Sequence, residues 1–322
     1  MYLLRKRLKN ILTQKEDKQL RPDFLVVGME RSGTHWVAAL LNNHPDIACF
    51  PSLPWRGDTG GNQVGEVHFF NTIAGLYPEY KDKKHTRPFE DFSFKYNKIF
   101  ADIVPLKDTV SLRDLSERLL RRYSDYCDAQ RGDKKIVGES TPAYVFFLDL
   151  IDALCPGVKK IASIRDPKDK IVSWHYNLIR KDKKPQGSSI TEKFAIDYLN
   201  ERIIPEYEAL LRYNGEVYIV TYEYLHKNTK KAAADMVSFL GFSVGDAVLS
   251  HMVSSADFEQ QTRRDGGNTA RKKGEEDVKS GLRKGIVSDW KNNMDEQLAG
   301  KIDKGVAGLR KKVFDKYHVI NI

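Results

Sequence analysis

The sequence predicts an α/β fold: a single domain with a central, mainly parallel sheet flanked by helices, and a P-loop-like nucleotide site. Three observations carry this. Phe24–Gly28 (FLVVG), Lys160–Ile164 (KIASI) and Glu216–Thr221 (EVYIVT) are short, continuous apolar runs, as in strands buried on both faces. They alternate with stretches of helical periodicity, the pattern of helices covering a parallel sheet. No linker divides the chain. Residues 1–20 read as a basic N-terminal helix or extension, and residues 21–322 as the domain.

In chain order, Phe24–Gly28 is a strand, a glycine-containing loop follows, and Trp36–Asn42 (WVAALLN) is a helix. Residues 55–65 (WRGDTGGNQVG) are polar and glycine-rich, hence a loop. Leu112, Leu115, Leu119, Leu120 and Tyr123 recur at helical spacing, so 111–130 is a helix. Lys134–Gly138 (KKIVG) reads as a short strand, and Tyr144–Leu154 as a helix ending before Pro156. Helices are expected over 168–179, 191–213, 230–241 (stopped by Gly241) and 295–317. Arg263–Arg283 is charged, glycine-rich and aperiodic, a loop expected to order around a ligand.

Composition narrows the partners. The chain has 322 residues, with 53 Lys and Arg against 44 Asp and Glu, a formal charge of +9. A basic surface draws polyanions or anionic cofactors, and also simply aids solubility. No aromatic–basic signature or zinc-finger spacing points to nucleic acid. Cys49, Cys127 and Cys155 form no CxxC pair and read as reduced thiols of a cytoplasmic protein; a disulfide with one thiol left over is the alternative. No run approaches the about 18 apolar residues of a membrane span. The N-terminal segment, with Tyr2, Leu3, Leu4, Leu8, Ile11 and Leu12 on one face, either docks on the domain or touches an anionic membrane peripherally.

Two segments concentrate anion-binding chemistry. Gly28–Trp36 (GMERSGTHW) follows a strand and opens a helix, which brings backbone N–H groups and the positive helix end to one point. Ser32, Gly33 and Thr34 are small enough to let an anion approach the backbone, and Arg31 adds a planar fork of donors. Gly28 and Gly33 keep the GxxxxG spacing of a Walker A loop, but Thr34 stands where that loop has Lys. A nucleoside-triphosphate enzyme needs that Lys on its β- and γ-phosphates. In Lys160–Tyr176 (KIASIRDPKDKIVSWHY), Arg165 ends a strand, Pro167 opens a helix, and Ser173 lies eight residues beyond Arg165. Both can face one phosphate, Arg165 with charge and paired hydrogen bonds, Ser173 with a hydroxyl. Two anion sites on strand ends of one parallel sheet suit a nucleotide carrying two separate phosphate groups.

These segments resemble those of sulfotransferases that use 3′-phosphoadenosine 5′-phosphosulfate (PAPS). Arg31-Ser32-Gly33-Thr34-His35-Trp36 resembles the family's 5′-phosphosulfate loop, and Arg165-Asp166-Pro167 with Ser173 resembles its 3′-phosphate motif. Arg283–Met294 (RKGIVSDWKNNM) is similar to the C-terminal clamp of the cytosolic branch, which implies that Arg283, Lys284 and Gly285 cap the 3′-phosphate. Ser254–Glu259 (SSADFE) resembles the segment that sets a Phe against adenine, so Phe258 takes that role opposite Trp36; Tyr222 of TYEYL matches the Tyr beside the base. Core packing is the plainer alternative for each aromatic. The resemblance runs from about residue 22 to 294. It implies PAPS as donor, PAP (3′-phosphoadenosine 5′-phosphate) as product, and no metal.

For the catalytic base, Glu66-Val67-His68-Phe69-Phe70 resembles the ExHFF segment of the heparan-type branch, which implies Glu66 as general base. Glu66 would need a raised pKa or close contact with the acceptor to work near neutrality. His68 is the other candidate, since an ordinary imidazole titrates in the right range. Gly138–Tyr144 (GESTPAY) resembles a family segment in which Lys occupies the position of Ser140; Lys284 or His35 could compensate for the missing cation. Transfer of a sulfuryl group to a hydroxyl or amine of a glycan or small molecule is therefore the expected activity, with the loop at 55–65 shaping the acceptor pocket. Two other readings are a P-loop small-molecule kinase and an inactive nucleotide-binding module. Neither the acceptor nor the oligomeric state can be read.

Overall fold

The computed structural model describes residues 21–51, 66–80, 83–89, 91, 99–264 and 270–319. The proposed N-terminal helix (1–20) and the loop at 55–65 lie outside the described residues, as do residues 265–269 of the expected C-terminal loop.

Five strands form one sheet: β1 Phe24–Gly28, β2 Ile47–Phe50, β3 Ile136–Ser140, β4 Lys159–Ile164 and β5 Tyr218–Thr221, in the order β2-β3-β1-β4-β5. Every pairing among them is parallel. The order runs outward from β1 in both directions, which creates a topological switch point beside β1. Ligands of such sheets bind outside the carboxyl ends of the strands at that point. The register brings the critical ends level, with Gly28 of β1 opposite Ser163 of β4.

Alternation along the strands builds two cores. Leu25 and Val27 of β1, with Ala162 and Ile164 of β4, join one apolar cluster; Phe24, Val26 and Ile161 join the other. Successive residues of a strand face opposite sides, so a strand apolar throughout must be covered twice. Helix α1 (Thr34–Asn42) covers one face through Trp36, Val37, Leu40 and Leu41. Helix α2 (Leu112–Arg131) covers the other through Leu115, Leu119 and Tyr123.

Helix ends follow local chemistry. Ser111 caps α2 by accepting from the Asp114 N–H at 3.1 Å. In helix α3 (Pro167–Arg180) Asp166 accepts from the Lys168 N–H at 2.8 Å, and Pro167 takes the first position, where no N–H is needed. Gly241, at φ 95°, ends the helix Thr229–Leu240. The last helix is Glu296–Lys316, capped by Asp295.

Several boundaries differ from those the sequence suggests. The third strand is Ile136–Ser140; the Lys134 N–H instead donates to the Arg131 carbonyl at 3.2 Å, closing a turn after α2. Residues 142–147 form a 3-10 turn after Thr141 before α-helix begins at Leu148. The stretch expected as one helix over 191–213 is Glu192–Tyr198, a π turn Leu199–Ile203, and helix α4 (Ile204–Arg212). Pro205 explains the wide turn, since its ring would clash with an upstream carbonyl in a regular helix. Strand β5 begins at Tyr218, not Glu216. Arg263 and Arg264, expected in the aperiodic segment, are instead the last residues of the helix Phe258–Arg264. Strand β2 and the helix Asp246–Ser255 have no counterpart among the expected elements. No helix among the described residues is long and apolar enough to cross a membrane.

Candidate active site

The loop between β1 and α1 is held in an uncommon conformation. Arg31, a non-glycine residue, has φ 70°, and Gly33 has φ 88°. At Gly33 a Cβ would also lie 2.6 Å from the Tyr222 ring, so glycine is required twice over. Three contacts fasten the loop. The Met29 N–H donates to Glu206 Oε1 at 2.7 Å, Glu206 of α4 pairs with Lys170 of α3 in the interior, and Ser163 Oγ donates to the Ser32 carbonyl at 2.7 Å. The first amides of α1 have no carbonyl one turn back, and they open onto the positive end of the helix.

Arg31 reaches out of this loop across the crevice. Its Nε donates to Ser173 Oγ of α3 at 2.8 Å and its Nη2 to the Gly281 carbonyl at 2.9 Å. It makes no ion pair among the described residues. Burial, then the neighbouring charges of Arg165 and Arg180, push its pKa down to about 10. Arginine crowded by arginine and not matched by carboxylate is a site poised for an anion.

Arg165, at the carboxyl end of β4, lies beside it. Its Nη2 donates to the Ile286 carbonyl at 3.0 Å, and its guanidinium stacks 4.2 Å above the Tyr222 ring. Asp169 is 3.7 Å away. Tyr222 in turn meets Trp36 edge-on, with centroids 5.7 Å apart. Gly285, at φ 65°, presses its backbone against Phe258; a Cβ there would fall 2.4 Å from the ring. Trp36, Tyr222 and Phe258 thus line one end of the cleft, next to Arg165.

The C-terminal clamp residues are internally matched. Arg283 pairs with Glu276 and Asp289 and sits 4.0 Å over the Tyr176 ring. Lys284 lies 3.5 Å from Glu276 and 3.4 Å from Asp289. Burial alone would raise the Asp289 pKa, but the hydrogen bond and charge of Arg283 outweigh it and hold the carboxyl down. Asp169 anchors the same segment, accepting from the Ser288 and Trp290 N–H groups at 2.7 and 2.9 Å.

At the opposite end stands Glu66. His68 Nε2 donates to its Oε2 at 3.1 Å, and His35 Nε2 lies 3.9 Å from Oε1. His68 has φ 52°, which turns the chain into the short helix Phe69–Ile73. Burial pushes the Glu66 pKa up, but the His68 hydrogen bond and the charges of His35 and Arg87 prevail, leaving it below its ordinary value. The raised pKa expected of a carboxylate base is absent, so a base role for Glu66 rests on close contact with the acceptor. Ser140, where the family motif has Lys, is buried at the end of β3 with no hydrogen-bond partner for its Oγ.

All of these converge on one cavity of about 800 Å³. Its lining includes Arg31, Gly33, Thr34, His35, Trp36, Glu66, His68, Arg165, Ser173, Tyr222, Phe258, Arg283, Lys284 and Gly285. Ser32 is the exception: it is fully buried, does not line the cavity, and its Oγ has no partner. The buried Nε1 of Trp36, Nε of Arg165 and Oε1 of Gln261 also lack protein partners. Donors and an acceptor of this kind beside aromatic faces fit a nucleotide with a phosphate at each end.

Sequence reasoning missed Arg87, Arg180 and Lys181, which line the cavity near Glu66. Arg180 was findable: seven residues after Ser173 on a helix is two turns, hence the same face. Lys181 sits in a run of charge (RKDKK) that reads as solvated surface.

A doubly wound parallel sheet with an anion loop after its first strand and a second cationic site on the neighbouring strand defines a P-loop-like group-transfer protein. The chain belongs to the sulfotransferase domain family, whose profile matches residues 21–316. Among solved structures, a sulfotransferase from Alicyclobacillus acidocaldarius is similar at 17% identity and a TM-score of 0.49, over 94% of this chain and 97% of that one. A mouse sulfotransferase complexed with PAP is similar at 17% identity and a TM-score of 0.49, over 96% and 94%. One from Mycobacterium avium gives 11% identity and 0.47, over 98% and 82%. No curated protein matches the sequence significantly.

Proposed function

We propose that the protein moves a sulfuryl group from PAPS to a hydroxyl or amine of a glycan or small molecule. The observation that supports this most is the placing of Arg31 with Ser173, and of Arg165, along one cleft with Trp36, Tyr222 and Phe258. Two adjacent cationic sites with aromatic faces beside one of them suit an adenosine carrying a 3′-phosphate and a 5′-phosphosulfate. PAPS supplies the activated sulfuryl group, with PAP as the leaving product.

The residues then divide the work. Arg165, with the segment Arg283–Gly285 folded over it, holds the 3′-phosphate, and Trp36, Tyr222 and Phe258 hold the base. Arg31 and the first amides of α1, at Thr34 and His35, receive the charge that grows on the 5′-phosphate as the sulfur–oxygen bond breaks. Glu66 takes the proton as the acceptor oxygen bonds to sulfur, with His68 holding the carboxylate in position; His68 is the alternative base. All three cysteines are free and buried. We infer a cytoplasmic setting, where thiols stay reduced.

The test is release of PAP from PAPS in the presence of hydroxyl acceptors, neutral and anionic. Glu66→Ala should lose about 100-fold or more in turnover, as for removal of a general base, while binding PAP as the parent does. Equal turnover would remove Glu66 from the mechanism. Tight PAP binding with no turnover by the parent on any acceptor would favour an inactive binding module.

A further inference from the structure

Two of the cations that line the cleft, Arg180 and Lys181, have neither a carboxylate partner among the described residues nor a place in the donor site. The lining among the described residues has ten Lys and Arg against four carboxylates. Asp169, Glu276 and Asp91, just behind the lining, already match Arg165, the Arg283–Lys284 pair and Arg87, so the excess is local and not a sum over the cleft.

The surplus is not spread evenly. Arg165, which stacks on Tyr222, and Arg283 and Lys284 of the C-terminal segment are all matched by carboxylates. Arg180 ends α3 and Lys181 follows it; both line the cavity, Arg180 within electrostatic reach of Arg31, and Lys181 of both Arg31 and Glu66. Neither makes an ion pair among the described residues. Arg180 is aimed: its Nη2 donates to Asn177 Oδ1 at 2.8 Å, and its buried Nε has no partner. Lys181 feels both neighbours, since burial and then the charge of Arg180 lower its pKa, with Arg31 adding to the effect and Glu66 opposing it. Arg87, paired with Asp91 at 3.5 Å, also lies within electrostatic reach of Glu66. A second cavity of about 320 Å³ shares Arg180 with the first, so there is room beyond the cations.

We propose that the acceptor carries a carboxylate or sulfate ester, which docks on Arg180 and Lys181 and sets its nucleophilic hydroxyl against Glu66. This rests on the sulfotransferase reading above and deepens it by naming the acceptor's chemical class.

The probes are 4-nitrophenyl β-glucuronide and 4-nitrophenyl β-glucoside, which differ by one carboxylate. Each is titrated calorimetrically into protein whose PAP affinity has first been measured, so that a failure of the donor reading registers on its own before any sugar is added. In PAP-saturated protein at low salt, the glucuronide should bind at least about tenfold more tightly, the value of one charge-assisted hydrogen bond. Lys181→Gln should cut that ratio several-fold, Lys181→Arg should keep it, and salt should erode it. Equal binding of the two sugars, binding of neither, or a ratio untouched by Lys181→Gln would overturn the proposal.

Discussion

The Nε of Arg31 donates to Ser173 Oγ across 2.8 Å, joining residues 142 positions apart. The bond ties the loop after β1 to the helix after β4, and so makes one cleft of two motifs that sequence alone leaves separate. Arg165 reinforces it from the side, with Nη1 3.4 Å from the Arg31 carbonyl.

Ser173→Ala therefore leaves a buried guanidinium N–H without its acceptor. Loss of such a partner costs about 1–3 kcal/mol, which should appear as roughly tenfold weaker PAP binding or more. Calorimetry with the variant checks this; unchanged affinity would mean that Ser173 plays no part in aligning Arg31.

Gly285→Ala is expected to damage the adenine site more than the fold. The new methyl group meets the Phe258 ring at 2.4 Å, and the residue must keep φ 65°. The ring has to move, so the KM for the donor should rise several-fold with little change in thermal midpoint. A variant with parental donor KM would show that Phe258 does not contact the base.

Lys170 and Glu206 are both about 1% exposed, and Glu206 also accepts the Met29 N–H. Removing one partner strands a buried charge, at a cost of about 3–5 kcal/mol. Lys170→Met should lower the thermal midpoint clearly. Adding Glu206→Gln should restore much of it, because the amide oxygen still accepts from Met29 and no net charge remains buried. Thermal unfolding of the single and double variants decides the matter, and equal midpoints would contradict it.

The Glu66 carboxyl titrates below its ordinary range, because the His68 hydrogen bond and the nearby positive charges outweigh burial. A depressed folded pKa stabilises the fold above the unfolded value, and that contribution is lost as pH falls through the folded value. As a base, Glu66 stays ionised through neutral pH. The acid limb of kcat/KM should therefore fall below about pH 4.3, the usual glutamate value. A limb near pH 6–7, where histidine ordinarily titrates, would transfer the base role to an imidazole.

Much of this site is legible in the amino-acid order itself. Strand ends and helix starts are punctuated by Gly28, Gly33, Arg165 and Pro167, and local chemistry settles those positions. What is not legible depends on long-range packing. Arg31 takes Ser173, 142 residues on, as its partner, whereas Asp289 and Glu276, six and seven residues from Arg283, meet it only through the way an aperiodic loop folds back. The π turn follows from Pro205 just after it, and the depressed pKa of Glu66 combines the local His68 hydrogen bond with charge from His35 and Arg87, which the fold brings in.

The central claim is that one cleft grips a single adenosine through two separate anions. Calorimetry with PAP, AMP and ATP·Mg²⁺, on the parent and on Arg165→Ala, tests it most directly. PAP should bind at least about 100-fold more tightly than AMP, as two charge-assisted hydrogen bonds to the 3′-phosphate allow, and Arg165→Ala should collapse most of that ratio. Equal affinities for PAP and AMP, or a preference for ATP·Mg²⁺, would contradict the account.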